Sequence, residues 1–193
     1  RTVQLADGTL VELSAQTAIA VDYNGQERHV RLLKGQAFFA VKHDAARPFE
    51  VIARDARIAD IGTAFDVRLG SDAGSVAVAE GIVDLRYPPH GVSQRLKAGQ
   101  WTRFSWTGDT DSGREPVGRV AAWRQGQLVV HDRPGAEVVD QLRPYFGGAI
   151  ILASDAFATR RVTGVYNLRD PAKALEALAS ARSGVTVRRI TPW

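Results

Sequence analysis

Residues 28–51 read RHVRLLKGQAFFAVKHDAARPFEV and contain the clearest strand pattern in the chain. β-Branched and aromatic side chains alternate with polar ones in the runs on both sides of Gly35. A period of two is typical of half-buried β-strands, because successive side chains of a strand point to opposite faces of a sheet. The pattern predicts strands over His29 to Lys34, Ala37 to Lys42 and Phe49 to Ala53.

Similar short apolar runs continue on either side of this stretch, from Arg1 to about Trp106. Turn-forming residues separate them, at Ala6-Asp7-Gly8-Thr9, Asn24-Gly25 and Glu80-Gly81. The predicted strands recur about every 8–12 residues, a spacing typical of packed antiparallel sheets. We therefore predict a β-rich N-terminal domain over residues 1–107, built as a meander or roll of antiparallel strands.

Residues 108–120, GDTDSGREPVGRV, lack an apolar period and are rich in glycine and aspartate. This composition is typical of a linker. The pattern then changes to strand, helix and strand, and repeats once. The predicted elements are Gly126 to Val130, Ala136 to Phe146, Ala149 to Leu152, Val162 to Tyr166, Pro171 to Arg182 and Val185 to Ile190. Residues 121–193 are therefore predicted to form a small α+β domain of two βαβ repeats.

The charge balance argues against nucleic acid as a partner. The chain has 25 Lys and Arg against 21 Asp and Glu, and its formal net charge of +4 is spread without a dense basic run. Nucleic-acid-binding domains concentrate basic residues on one face or along one helix. A module that binds nucleic acid or cell wall is therefore the least supported of the three functions that the sequence allows.

No residue pattern indicates a metal centre or cofactor-dependent chemistry. The chain has no Cys, which excludes disulfides, Cys-ligated zinc and thiol catalysis. Its four His residues are separated by at least 14 positions, which is not the spacing of metal ligands on one element. The sequence contains neither a glycine-rich nucleotide-binding fingerprint nor a nucleophile-elbow motif. We predict no metal site, no cofactor and no metabolic active site.

Several short motifs, in order over residues 1–130, resemble the FecR family. They are the turn Asp7-Gly8-Thr9, the strand Gly35 to Phe39, the entry Arg47-Pro48-Phe49, the strand Gly62 to Phe65, the turn Glu80-Gly81, and the segments LKAGQ and AAWRQGQLVV. The predicted βαβ pair that follows resembles the small secretin and TonB N-terminal fold. Pro134-Gly135 departs from the family pattern, which usually has Pro followed by Leu at the helix entry.

The resemblance implies the periplasmic part of a single-span inner-membrane anti-sigma regulator. In such a protein we expect this part to bind the N-terminal signalling domain of a TonB-dependent outer-membrane receptor, and so to report ferric-siderophore uptake. The chain begins at Arg1, contains no Met and has no apolar run of the roughly 18–20 residues that cross a bilayer. We therefore expect an ECF sigma factor and the membrane to be contacted only through parts of a longer protein.

The expected mode of receptor binding is strand addition, in which a partner strand pairs with an exposed sheet edge. Trp123 follows the predicted linker, so we expect it to pack at the junction of the two domains. The candidate edges lie in the C-terminal domain, and their predicted partner-binding residues are Gln127, Leu128, Val129, Val130, Val185 and Val187.

The bond between Gly62 and Thr63 is the one candidate for covalent chemistry, since some FecR-like proteins cleave themselves at a matching Gly-Thr. The Thr63 hydroxyl would attack the Gly62 carbonyl by an N-to-O acyl shift, and water would hydrolyse the resulting ester. This hypothesis makes the protein self-processing. The alternative is that Gly62 forms a strand bulge and Thr63 is an ordinary β-branched strand residue.

Overall fold

The computed structural model describes residues 1–60, 62–153 and 155–180. The chain divides into two compact units, Arg1–Ala121 and Ala122–Trp193. The described part of the first unit is built from β-strands, and that of the second from two strands and three α-helices. The chain is therefore rich in β-structure, as the apolar alternation predicts.

The first unit contains one continuous twelve-stranded sheet. Its central path follows the order β10-β9-β6-β5-β4-β7-β8-β11-β12, while β2 and β3 also pair with β4 and β1 pairs with β2. The strands are β1 (Thr2–Gln4), β2 (Leu10–Leu13), β3 (Ala18–Tyr23), β4 (Arg28–Ala40), β5 (Phe49–Ala53), β6 (Ala56–Asp60), β7 (Ala64–Leu69), β8 (Ala73–Glu80), β9 (Ile82–Tyr87), β10 (Val92–Lys97), β11 (Gln100–Ser105) and β12 (Thr110–Arg114).

Strand β4 joins the two halves of this sheet. The sequence predicts two strands here, but the structure has a single strand of 13 residues that bends at Gly35, where φ is +88°. A side chain at Gly35 would collide with Thr17, so glycine allows both the bend and this contact. Before the bend β4 pairs with β3 and β5, and after it with β2 and β7.

A single hydrophobic core fills the curled sheet. Val30, Val51 and Leu85 reach it from one half of the sheet, and Phe39 and Phe65 from the other. The rings of Phe39 and Phe65 stack with centroids 5.3 Å apart. Each fully buried side chain of this size contributes about 1.5–3 kcal/mol to folding. Because both halves of the sheet bury side chains in this one cluster, the cluster stabilises the curled form of the sheet.

A buried ion pair lies at one end of this core. Arg28, only 1% exposed, donates from its Nη1 nitrogen to Asp7 Oδ2 at 2.6 Å and to the Lys42 carbonyl at 2.8 Å. Its Nε donates to the Arg47 carbonyl at 2.9 Å. Thr9 completes the Asp7 turn, through its N–H to Asp7 Oδ1 at 3.0 Å and its hydroxyl to Oδ2 at 2.7 Å. One guanidinium thus connects the Asp7 turn to the loop between β4 and β5.

The predicted linker is partly a strand. Residues 110–114 form β12, which pairs antiparallel with β11. The sequence pattern does not show this strand because β12 is the last strand on its edge of the sheet and most of its side chains face solvent. The β-structure of the first unit therefore extends beyond residue 107, and only short 3₁₀ turns follow, at Val117–Arg119 and Ala122–Gln125.

The second unit contains β13 (Gln127–Pro134), α1 (Gly135–Leu142), α2 (Asp155–Ala158), β14 (Arg161–Asn167) and α3 (Pro171–Ser180). Strands β13 and β14 pair antiparallel. Both long helices turn an apolar face inward, as predicted, through Val138 and Leu142 of α1 and Leu175 and Leu178 of α3. Asp170 caps α3, since its carboxylate accepts the Lys173 N–H at 3.1 Å.

The predicted strand Ala149 to Leu152 does not form. Ile150 and Leu152 pack against the hydrophobic cluster of the second unit, while Ile151 is 82% exposed. The side chains therefore alternate as in a strand, although the segment belongs to no ladder among the described residues. The predicted strand Val185 to Ile190 lies outside the described residues, so the described fold contains two strand–helix pairs and not two complete βαβ repeats.

Replacing Arg28 tests the importance of the buried ion pair. Arg28→Met leaves the Asp7 carboxylate buried without its cation, and the expected loss in the free energy of unfolding is about 3–5 kcal/mol. Urea denaturation followed by circular dichroism measures this loss. The matched control is Lys34→Met on the exposed face of the same strand, with an expected change within about 0.5 kcal/mol. Equal stability of the two variants would contradict the role given to Arg28.

The ionisation of Asp7 predicts a pH dependence of stability. Burial acts to raise the pKa of Asp7, but hydrogen bonds from Thr9 and Arg28 and the Arg28 charge outweigh it and lower the pKa below 3.8. The stabilisation by ionised Asp7 is therefore complete above pH 3.8 and is lost as the pH falls through the lower pKa of the folded state. We expect the stability difference between wild type and Asp7→Asn to shrink over that acid range. A difference that stays constant with pH would contradict this assignment.

Candidate functional site

The Gly62–Thr63 bond lies in the connection between β6 and β7, just before β7 begins. Gly62 has a φ of +77°, in the left-handed region that favours glycine. The Asp60 carboxylate holds both residues of the bond. Its Oδ2 accepts the Gly62 N–H at 3.0 Å, and its Oδ1 accepts the hydroxyl proton of Thr63. Gly62 and Thr63 therefore both lie outside the strands themselves.

The surroundings of the bond leave no room for a larger residue at Gly81 and little room at Gly62. A Cβ atom on Gly81 would lie 2.6 Å from the Gly62 carbonyl oxygen and 2.7 Å from Thr63 Cγ2. A Cβ on Gly62 would lie 3.1 Å from His43 Nδ1. Glycine at position 81 thus does more than form the predicted turn, because it allows the backbone to approach the Gly62 carbonyl closely.

An open cleft of about 230 Å³ borders the bond. Lys42 and Glu80 are the charged residues among those that line it. Thr63 is buried, and its carbonyl accepts the Val41 N–H at 3.0 Å. The cleft is large enough for water to reach the bond from one side. Its lining residues are Gly8, Leu10, Ala40, Val41, Lys42, Gly62, Thr63, Ala64 and Glu80.

This arrangement contains the groups needed for attack of a hydroxyl on its own peptide bond. In such a reaction Thr63 Oγ1 would be the nucleophile and the Gly62 carbonyl the electrophile, and the Asp60 carboxylate, which accepts the Thr63 hydroxyl proton in a hydrogen bond, would be the base. Sequence reasoning singled out Gly62 and Thr63 but missed Asp60. The available signal was an Asp two residues before a Gly, which is typical of a turn closed by the Asp side chain.

The predicted partner-binding residues of β13 divide between its two faces. Leu128 and Val130 are buried in the core of the second unit, while Gln127 is exposed and Val129 half-buried on the other face. Side chains of Leu128 and Val130 therefore cannot contact a partner while this unit is folded. Val185 and Val187 lie outside the described residues.

Trp123 lies in the 3₁₀ turn Ala122–Gln125. Its half-buried ring packs against the hydrophobic cluster of the second unit. The structure therefore assigns Trp123 to the core of that unit, and its predicted place at the domain junction stays a prediction.

Two further features of the described residues bear on the class of protein. No group of three or more His, Cys, Asp or Glu side chains within them could hold a metal ion. No helix in the same part of the chain is long and apolar enough to span a bilayer.

Comparisons with known proteins point to one class. Residues 1–84 match the family described as FecR protein. Two solved structures from Parabacteroides distasonis, each described as a "putative anti-sigma factor", have the same fold. The first, at 1.65 Å resolution, has a TM-score of 0.89 and 26% identity over 99% of this chain and 91% of its own. The second, at 2.50 Å resolution, has a TM-score of 0.87 and 26% identity over 98% and 90%.

No curated protein sequence matches the chain significantly. The family match lies within the first unit, and the structural likeness extends over both units. Residues 1–84 are thus similar to the FecR family, and the chain as a whole is similar in fold to a protein described as a putative anti-sigma factor.

Proposed function

We propose that this chain is the periplasmic signal-relay module of a transmembrane anti-sigma regulator. It binds the N-terminal signalling domain of a TonB-dependent outer-membrane receptor and thereby controls an ECF sigma factor in siderophore-dependent iron uptake. The likeness to an anti-sigma factor over 99% of the chain is the observation that carries this proposal. Contacts with the sigma factor and the membrane belong to other parts of the regulator.

The sheet of the second unit supports a role in partner binding. Val165 of β14 is 64% exposed and lies directly opposite Val129 of β13. The two valines make an apolar strip on the face that points away from the unit's core, where Gln127 also lies. A partner that adds a strand beside this sheet would also cover such side chains. The proposed interface is therefore the outer face and edge of the β13–β14 sheet.

Calorimetric titration with the signalling domain of the receptor encoded beside this regulator tests the proposal. We expect saturable one-to-one binding. Val165→Asp places a charge in the apolar strip and should weaken binding about tenfold, or about 1.4 kcal/mol. The matched control is Val117→Asp in the first unit, where the wild-type valine is 53% exposed, and its affinity should equal wild type. Absence of binding at tens of micromolar would refute the relay function.

The contact between Thr63 and Asp60 favours a second function, self-processing. Thr63 Oγ1 attacks the Gly62 carbonyl carbon while Asp60 accepts the hydroxyl proton. The C–N bond then breaks, the nitrogen takes up a proton and becomes a free amine, and an ester joins Gly62 to the Thr63 oxygen. Water from the cleft hydrolyses the ester, which leaves a carboxylate on Gly62 and restores the Thr63 hydroxyl.

Intact mass measured under denaturing conditions tests self-processing. We expect two fragments, residues 1–62 and 63–193, that still co-elute under native conditions because β7 of one pairs with β4 of the other. Thr63→Ala should abolish the cleavage. Asp60→Asn should slow it about 100-fold or more, as expected for loss of a general base.

Thr110→Ala, at an exposed threonine of β12, is the control variant and should cleave like wild type. Hydroxylamine should accelerate scission of the wild type and leave a hydroxamate on Gly62, because it attacks the ester. A single full-length species after prolonged incubation, with or without hydroxylamine, would exclude self-processing.

A further inference from the structure

Three arginines form a row on the outer face of the sheet in the first unit. Arg31 of β4 is paired in register with Ile52 of β5, Ile52 with Arg57 of β6, and Arg57 with Arg86 of β9. Residues paired in this way point to the same face of a sheet. The neighbours of these residues along each strand face the core, and all three arginines are exposed.

The arginine row places like charges opposite each other. Arg57 and Arg86 are directly opposed on antiparallel strands, an arrangement that destabilises a sheet. Glu50 compensates Arg57 with an ion pair of 2.7 Å. Among the described residues Arg31 and Arg86 have no ion-pair partner within 4.0 Å. Asp84 attracts Arg86 electrostatically but is itself bound by Arg95. The row therefore carries a net positive charge that nearby carboxylates balance only in part.

The adjacent row of side chains limits the shape of a ligand. Glu50 and Asp84 lie there, two residues along from Ile52 and Arg86, at a distance of about 7 Å. Arg95 binds Asp84 through two hydrogen bonds of 2.7 and 2.8 Å. A broad anionic surface such as a membrane would meet these carboxylates as well as the arginines. A narrow anionic ligand would meet the arginine row alone.

The geometry points to an extended acidic segment of a partner protein, bound along the arginine row across the strands. Neighbouring strands lie about 4.8 Å apart, so Arg31 and Arg86, three strands apart, are separated by about 14 Å. Residues i and i+4 of an extended peptide are about 13 Å apart and point to the same side. Acidic residues at these two positions match the two arginines of the row that form no ion pair within 4.0 Å, and an apolar residue at i+2 lies over the half-buried Ile52.

This surface belongs to the first unit and is separate from the β13–β14 sheet and from the Gly62–Thr63 bond. Binding there requires neither the proposed receptor contact nor cleavage. The inference can therefore hold or fail independently of the proposed function.

Two synthetic peptides test the spacing on the whole chain by calorimetry at low ionic strength. The probe is Ac-Ser-Glu-Ser-Ile-Ser-Glu-Ser-NH2, and the control of equal composition is Ac-Ser-Glu-Glu-Ile-Ser-Ser-Ser-NH2. We expect saturable binding of the probe with a Kd below about 1 mM and at least about fivefold weaker binding of the control. Equal affinity for both peptides would overturn the proposal, because only net charge would then be recognised.

Substitutions locate the binding surface. Arg31→Gln with Arg86→Gln should weaken probe binding about tenfold, whereas the charge-matched control, Arg114→Gln with Lys173→Gln, should bind like wild type. An equal loss in both double variants would overturn the assignment. Vesicles of anionic phospholipid should bind weakly and equally to wild type and to the Arg31 and Arg86 variant. Tight vesicle binding that is lost in that variant would favour a membrane and overturn the peptide proposal.

The thermal stability of Arg86→Gln provides a readout that does not depend on the probe. Removal of one of two opposed like charges should leave the unfolding midpoint unchanged or raise it. A lower midpoint would show that Arg86 stabilises the sheet, and the row would then need no ligand to explain it.

Discussion

The guanidinium of Arg28 is the contact on which the N-terminal unit depends most. It neutralises Asp7 and donates to the carbonyl groups of Lys42 and Arg47, which belong to the loop between β4 and β5. Removing such a charge from water is costly, and good geometry with several hydrogen bonds is what offsets the cost. Lysine could not replace it, because a single ammonium group lacks the planar fork that reaches three acceptors. The turn at Asp7-Gly8-Thr9 and the Arg-Pro-Phe entry to β5 are therefore parts of one structure.

That structure also shapes the candidate site. Lys42 and Gly8 both line the cleft. Arg28 donates to the carbonyl of Lys42, and it also binds Asp7, which immediately precedes Gly8. Val41, immediately before Lys42, donates to the Thr63 carbonyl. The path from Arg28 to the Gly62–Thr63 bond thus runs through neighbouring backbone groups. Because β4 bends at Gly35, it pairs with β5 in one half of the sheet and with β7 in the other half.

The sequence predicts the local features of this chain better than it predicts which strands and which side chains pair with each other. Alternation locates most strands, and Asp7-Gly8-Thr9 is recognisable as a turn from its residues alone. The partner of Asp7 cannot be recognised from local sequence, because Arg28 is 21 positions away and a period-two pattern does not reveal which charged residue faces inward. The apolar pattern of the sequence does not predict strand β12, because an edge strand exposed to solvent needs no apolar side chains. The segment Ala149 to Leu152 shows the reverse case, since its side chains alternate between core and solvent although it joins no ladder within residues 1–60, 62–153 and 155–180. Asp60 acts over only two and three positions, so it was the one missing site residue that local reasoning could have found.

The position of the Gly62–Thr63 bond has a mechanical consequence. Residues before it and residues after it meet in the sheet along two ladders, β4 with β7 and β6 with β9. While the peptide bond is intact, tension that breaks these ladders unfolds the unit but leaves the two segments joined by the backbone. Once it is cut, the same tension would fall on those hydrogen-bonded ladders alone, and a modest pulling force could separate the pieces. Cleavage of this one bond would therefore leave the folded shape of the unit unchanged and would make its two segments separable by force.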